Sequence, residues 1–327
     1  MKTYSFRLTV FLLMLVILSG CSDSSDKPAK LGKTNSAPWE MLLVTNKEWI
    51  TTADGEVFMQ AMQKEIPGLN QVEPSFRVMT INPVSFTKSF HGFANIVVAD
   101  FGDQYKSADM KMTRNVYAQP QIVIRITAPT GRELSQYASD NADRIMQVFV
   151  DAELLAQQKV LLQHYSRPVL QQAQKQFGVS IYAPQEIAIV KKKGENFFWA
   201  SSEEQDNRLN ICMYSVPLDQ SWNSSLEALR DSVMEKNIRG YHDNQYMATV
   251  PKTTILREIN LGGRRVTEMR GIWEMKNDMM GGSFVSLARV DSAANRLLVT
   301  EGFVYAPNKN KRKFIRSLEA ALRTLRE

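Results

Sequence analysis

From Thr130 to Tyr165 the chain keeps one helical period, and this run limits the fold more than any other feature. Thr130-Gly131-Arg132-Glu133 has the capping-box pattern, in which a threonine hydroxyl and a glutamate three residues later satisfy free amides at a helix start. Leu134, Ala138, Ile145, Phe149, Leu155, Leu162 and Tyr165 then recur at helical spacing until Pro168 breaks or kinks the run. A helix this long spans a whole domain, so it sorts the strands before and after it into two sets. A shorter helix over 169–177 leads into the second set.

Ahead of the spine, Glu40-Met41-Leu42-Leu43-Val44-Thr45 is a compact apolar run and reads as a buried strand. A helix of about three turns follows, capped by Asp54, with Phe58, Ala61, Met62 and Ile66 on one face and Pro67-Gly68 at its end. Strands are expected at 76–81, 94–99 and 121–127. In the last, Ile122, Ile124 and Ile126 share a face while Arg125 points the other way, which predicts a solvated outer face.

Beyond the spine the pattern is mostly antiparallel. Residues 187–191 and 196–201 flank Lys192-Lys193-Gly194-Glu195 as a hairpin, and 210–216 follows. Ser224-Ser225-Leu226-Glu227 reads as a second capping box, opening a helix with Leu226, Leu229 and Val233 on one side. Strands at 254–260, 264–275, 284–291 and 296–305 lead to a final helix. Asn308 can cap it, and Phe314, Leu318, Ala321, Leu322 and Leu325 form a buried stripe beneath a basic outer face. Strands and helices do not alternate regularly, so the expectation is an α+β chain. It has two lobes, each a mainly antiparallel or mixed sheet packed with helices, joined by the long central helix. The expected divisions are 1–20, 21–39, 40–178 and 179–327.

The first of these is a leader. Lys2 and Arg7 precede an apolar stretch over 8–18, as in a secretory signal peptide; eleven residues are too few to span a bilayer as a helix. It ends in Leu18-Ser19-Gly20-Cys21, which resembles a bacterial lipobox, with Cys21 as the residue that is acylated and becomes the first of the mature chain. Two or three acyl chains would hold the protein on a membrane essentially permanently. The polar run over 22–37 reads as a flexible tether. The expected place is the cell envelope, lipid-anchored and on the outer membrane, with periplasmic and surface faces both open. Without the leader, 38 basic and 34 acidic residues leave +4. No stripe of lysine and arginine interleaved with aromatics argues for nucleic acid.

Composition and motifs then narrow the chemistry. With 44% hydrophobic residues and two cysteines, the chain can build a sizeable core and is no disulfide scaffold. His91, His164 and His242 lie more than seventy residues apart, so no metal site is expected. The sequence lacks a glycine-rich phosphate loop, a dinucleotide fingerprint and a GxSxG elbow, so neither a cofactor nor a catalytic residue is assigned. Cys212, inside a strand, reads as a small buried hydrophobe.

One segment invites a binding role. In Trp273-Glu274-Met275-Lys276-Asn277-Asp278-Met279-Met280-Gly281-Gly282, two methionines and two glycines occupy a turn that would ordinarily be polar. The functional reading is an apolar lip in which Met279, Met280, Gly281 and Gly282 meet a partner, with Trp273 as anchor. The bland reading folds the methionines back onto the core. Arg264, Arg265 and Arg270 could form an anion site nearby. Together with the lipobox, the length and the terminal basic helix, this segment resembles an uncharacterised lipoprotein family, domain of unknown function 4837, over most of the mature chain. That resemblance implies an envelope location and lends no catalytic residue. Asp291-Ser292-Ala293 also resembles a three-residue O-glycosylation acceptor, with Ser292 accessible in a turn. The leading expectation is therefore a non-enzymatic binding or assembly module with an envelope protein or glycan as partner. A glycan or peptide hydrolase whose site forms only in three dimensions is the rival.

Overall fold

The computed structural model describes residues 31–204, 206–218 and 225–327. The leader, Cys21, most of the tether and Ser224 lie outside the described residues.

The first lobe contains strands β1 (Gly32–Lys33), β2 (Glu40–Val44), β3 (Arg77–Ile81), β4 (Asn95–Phe101), β5 (Asp109–Arg114), β6 (Ala118–Gln119) and β7 (Ile122–Ala128), with helix α1 (Ala53–Met62) between β2 and β3. Its main sheet is mixed, in the order β3-β2-β4-β7-β5. The first four strands are parallel and β5 closes one edge antiparallel. Central parallel strands are buried on both faces, which explains the unbroken apolar run of β2. Thr52, two residues ahead of the expected Asp54, caps α1 by accepting from the Gly55 amide.

Three further sequence expectations fail in this lobe. The long helix is two: α2 (Gly131–Asp140) is capped by Thr130 as expected, but Asn141 ends it and α3 (Ala142–Leu161) starts afresh. Pro168 does not break a helix either. It lies in the first turn of α4 (Arg167–Phe177), where its missing N–H leaves nothing unpaired. The outer face of β7 is also drier than expected. Arg125 is exposed, but Val123 joins Leu42, Val44, Ile81 and Ile96 beneath Phe86, Phe90 and Phe93 of the β3–β4 connection.

The second lobe contains β8 (Ile189–Lys193), β9 (Phe197–Ser201), β10 (Arg208–Pro217), α5 (Leu226–Asn237), β11 (Met247–Thr249), β12 (Ile255–Leu261), β13 (Arg264–Met275), β14 (Gly281–Asp291), β15 (Arg296–Tyr305) and α6 (Arg312–Leu322). The sheet is antiparallel throughout, in the order β11-β13-β14-β15-β10-β9-β8, with β12 on the first half of β13. Ser225 caps α5 through the Ala228 amide, one residue later than the expected box. One sheet face carries α5 and the other carries α6, which packs in turn on α3. A Cβ at Gly302 would come within 2.7 Å of Leu318, so glycine is what lets α6 lie this close to β15. The α6 side forms one continuous apolar core with the first lobe, from Met41 and Ile124 through Phe149 to Val285 and Leu318.

The final helix departs most from expectation. Its start is capped by Glu73 of the first lobe, whose carboxylate accepts from the amides of Lys311 (2.5 Å) and Arg312 (3.0 Å). Its basic face is partly turned inward. The fully buried Glu319 lies 2.7 Å from Arg270 and Arg316 and 3.0 Å from Arg323. Arg270 also pairs with Glu268 (2.7 Å), Glu268 with Arg257 (2.5 Å), and Arg323 with Asp151 of α3 (3.0 Å). Burial alone would push the Glu319 carboxyl up, but Arg270, Arg316 and Arg323 outweigh it and hold it well below the usual carboxylate range.

Glu319→Gln should therefore cost about 3–5 kcal/mol in urea unfolding at pH 7, because it leaves buried guanidiniums uncompensated. Glu319 titrates lower when folded than unfolded. Its stabilisation is thus complete above the unfolded value of about 4.3 and is lost as pH falls below it. The gap between wild type and variant should accordingly narrow on acidification.

Candidate anion-binding pocket

The β13–β14 hairpin does not form one apolar lip. Trp273 is buried and donates from Nε1 to the Val304 carbonyl at 3.2 Å. A Cβ on Gly282 would meet that same carbonyl at 1.9 Å, so glycine makes room for this close approach. Gly281 pairs with Glu274 in the ladder, Met280 packs partly buried on the α5-side core, and Arg270 is locked in the charge cluster. Of the proposed contact residues, only Met279 stands fully in solvent. Trp273 and Arg270 therefore cannot meet a partner directly. Ser292 is exposed in the β14–β15 turn, and Cys212 is buried, with burial pushing its thiol well up. No group of acidic, histidine or cysteine residues among the described residues could hold a metal ion.

The arginines assemble a different site. Along β14, Val285, Leu287 and Arg289 point toward α6, so strand alternation places a guanidinium where the next core side chain would be. Arg289 lines a cavity of about 500 Å3 between the β12–β13 turn, β14 and the end of α6, together with Arg264, Arg323 and Arg326. Its side chain is only 8% exposed, and neither Nε nor Nη2 has a hydrogen-bond partner. A buried guanidinium in that state is unfavourable unless an acceptor reaches it. Burial and the neighbouring Arg264 draw its pKa down, against the opposing pull of Glu327.

The remaining walls are graded. Arg323 is held between Asp151 and Glu319 while its Nε is unpartnered, so the pocket continues the buried charge cluster. Val266, Leu287 and Leu322 floor the cavity, with Leu261 and Leu325 half-buried beside them. The one carboxylate in the lining belongs to Glu327, which pairs with both terminal nitrogens of Arg264 and stands 3.6 Å from Arg289. Arg264 was within reach of sequence reasoning; Arg265 faces solvent elsewhere, and Arg289, Arg323 and Arg326 were missed. The signal for Arg289 was there: a charged residue on the core-facing side of an otherwise apolar alternation.

Two other features hold chemistry without completing a site. A cleft of about 510 Å3 beside Thr34 and Ser36 contains the buried Glu153, whose carboxyl is pushed up by burial although Asn95 donates to it at 2.6 Å. Glu153 is the only carboxylate in that lining. On the α5 face, Arg230 binds Glu301 through two bonds of 2.7 and 2.8 Å and lies 3.9 Å over the Phe284 ring. Burial opposes the charge on Arg230, but Glu301 outweighs it and raises the guanidinium. This pair has no opening to solvent on its arginine or its glutamate.

Residues 166–324 match the family model described as Domain of unknown function (DUF4837), and residues 34–162 match a second, Domain of unknown function (DUF8532). The expected resemblance thus holds over the second half of the chain, and the first half matches a separate model. No curated protein matches the chain. Among solved structures, the Ran-binding protein Mog1p of Saccharomyces cerevisiae is similar at TM-score 0.30 and 10% identity, over 46% of this chain and 91% of that one. Human STARD10 is similar at TM-score 0.22 and 11% identity, over 41% and 72%. Likenesses this distant carry no argument about partner or ligand.

Burial makes the hairpin residues separable by unfolding. Trp273→Ala should cost about 3–5 kcal/mol, whereas Met279→Glu should change stability by less than about 0.5 kcal/mol.

Proposed function

We propose that the chain is a lipid-anchored envelope protein, held by Cys21, that acts as a non-enzymatic binding module with the arginine-lined pocket as its ligand site. The lipobox and leader support the anchoring. The observation that carries the binding role is Arg289, a guanidinium buried in a cavity wall with two nitrogens that make no hydrogen bond and only Glu327 at 3.6 Å as counter-charge. Such a group is kept ready for an acidic ligand, because guanidinium and carboxylate or phosphate pair through two aligned bonds. The cavity volume falls within the range of small-molecule sites.

The hydrolase reading keeps one observation in its favour, the raised Glu153 carboxyl in its cleft. General acid–base hydrolysis of a glycan needs a second carboxylate across the bond, and the lining of that cleft has none. The binding reading has the fuller set of groups.

Two measurements test this reading. Cys21→Ser should move the protein from the membrane to the soluble fraction of fractionated cells, and a variant that stayed on membranes would contradict the anchor. For the pocket, inorganic phosphate at fixed ionic strength should raise the melting temperature of the wild type more than that of Arg289→Gln, since exclusion of phosphate from the surface stabilises both alike and a bound anion adds its mass-action share. Arg289→Gln itself should fold at least as stably, because it removes a charge that no hydrogen bond satisfies. Equal phosphate response in both proteins would remove Arg289 from the site.

A further inference from the structure

The pocket already holds a carboxylate of the chain's own. Glu327 places its side-chain oxygens across Arg264 and one of them 3.6 Å from Arg289, too far for a hydrogen bond. This carboxylate lies against Arg264 and Arg289, and about 500 Å3 of the cavity stays open beside it, where one water's share of liquid is about 30 Å3. Leu261, Val266, Leu287, Leu322 and Leu325 line that cavity together with the arginines. Charged and apolar side chains thus stand side by side in the lining, Leu261 paired across the strands with Arg264 and Leu287 two residues along the same face from Arg289, so an acidic head held by an arginine brings a hydrocarbon body against apolar surface.

We infer that the pocket takes an acyl carboxylate, whose head group displaces Glu327 and takes its place beside Arg289 Nη2 while its chain lies on the leucine and valine floor. The inference rests on the pocket being the ligand site. Glu327 is then an internal competitor that occupies Arg264 in the empty protein and lowers the affinity for every incoming acid. Both partners of that pair are about half-exposed, so the competition is modest and reversible.

Isothermal titration with sodium octanoate and sodium acetate tests both parts, using wild type, Glu327→Gln and Arg289→Gln. Each methylene that leaves water adds roughly fourfold in affinity, so octanoate should bind the wild type at least about tenfold tighter than acetate. Glu327→Gln should bind octanoate about two- to fivefold tighter than wild type, and Arg289→Gln should lose the binding. Octanoate and acetate binding alike would overturn the acyl body and leave a plain anion site. Equal octanoate affinity in wild type and Glu327→Gln would overturn the displacement while leaving the pocket reading intact. If octanoate, acetate and phosphate all fail to bind a folded wild type, the inference and the pocket reading fall together.

Discussion

One carboxylate shared by three arginines holds the two halves of this molecule in register. Glu319 sits where α6 crosses the second sheet, and its cluster reaches both lobes: Arg316 lies 5.0 Å over the Trp39 ring, Arg323 binds Asp151, and Arg257, joined to the cluster through Glu268, binds Gln147. Ion pairs buried this deeply are poor stabilisers in themselves, since desolvation offsets much of their attraction. Their demand is for geometry. A helix that slid or rotated by one residue would strand several charges at once, so α6 has one acceptable position, and the core from Met41 to Leu318 forms around it.

Much of the architecture was legible because local chemistry and final structure agree. The Thr130 cap, the long strands β13 and β15 and the antiparallel second sheet follow from residues that are neighbours in sequence. Failures cluster where the deciding partner is distant. Nothing near Lys311 shows that Glu73 will cap α6, and nothing in the spacing of Arg316 and Glu319 shows that both face inward. A basic residue on an amphipathic helix is ordinarily read as outward, and only three-dimensional pairing reverses that. The edge strand β5 is almost wholly exposed or half-buried, so it lacks the apolar signal by which strands are found.

The candidate site divides the same way. The methionine-glycine hairpin drew notice through composition, yet its glycines serve packing: Gly282 exists for the Trp273 indole and the Val304 carbonyl. The pocket that does carry unsatisfied chemistry is built from four segments far apart in sequence, none conspicuous alone. Even so, an arginine at the inward register of β14 is a local anomaly. A charge in a core-facing position of a strand signals either a buried partner or a cavity wall.

The cap donated by Glu73 bears on how the two halves were joined. Separate family models cover them, which suggests modules that could be exchanged or expressed alone. Yet the second half cannot finish its own last helix: the acceptor for its first amides arrives from a loop more than two hundred residues upstream. Recombination that swapped in a foreign first module would uncap α6 unless it supplied an acid at the equivalent place.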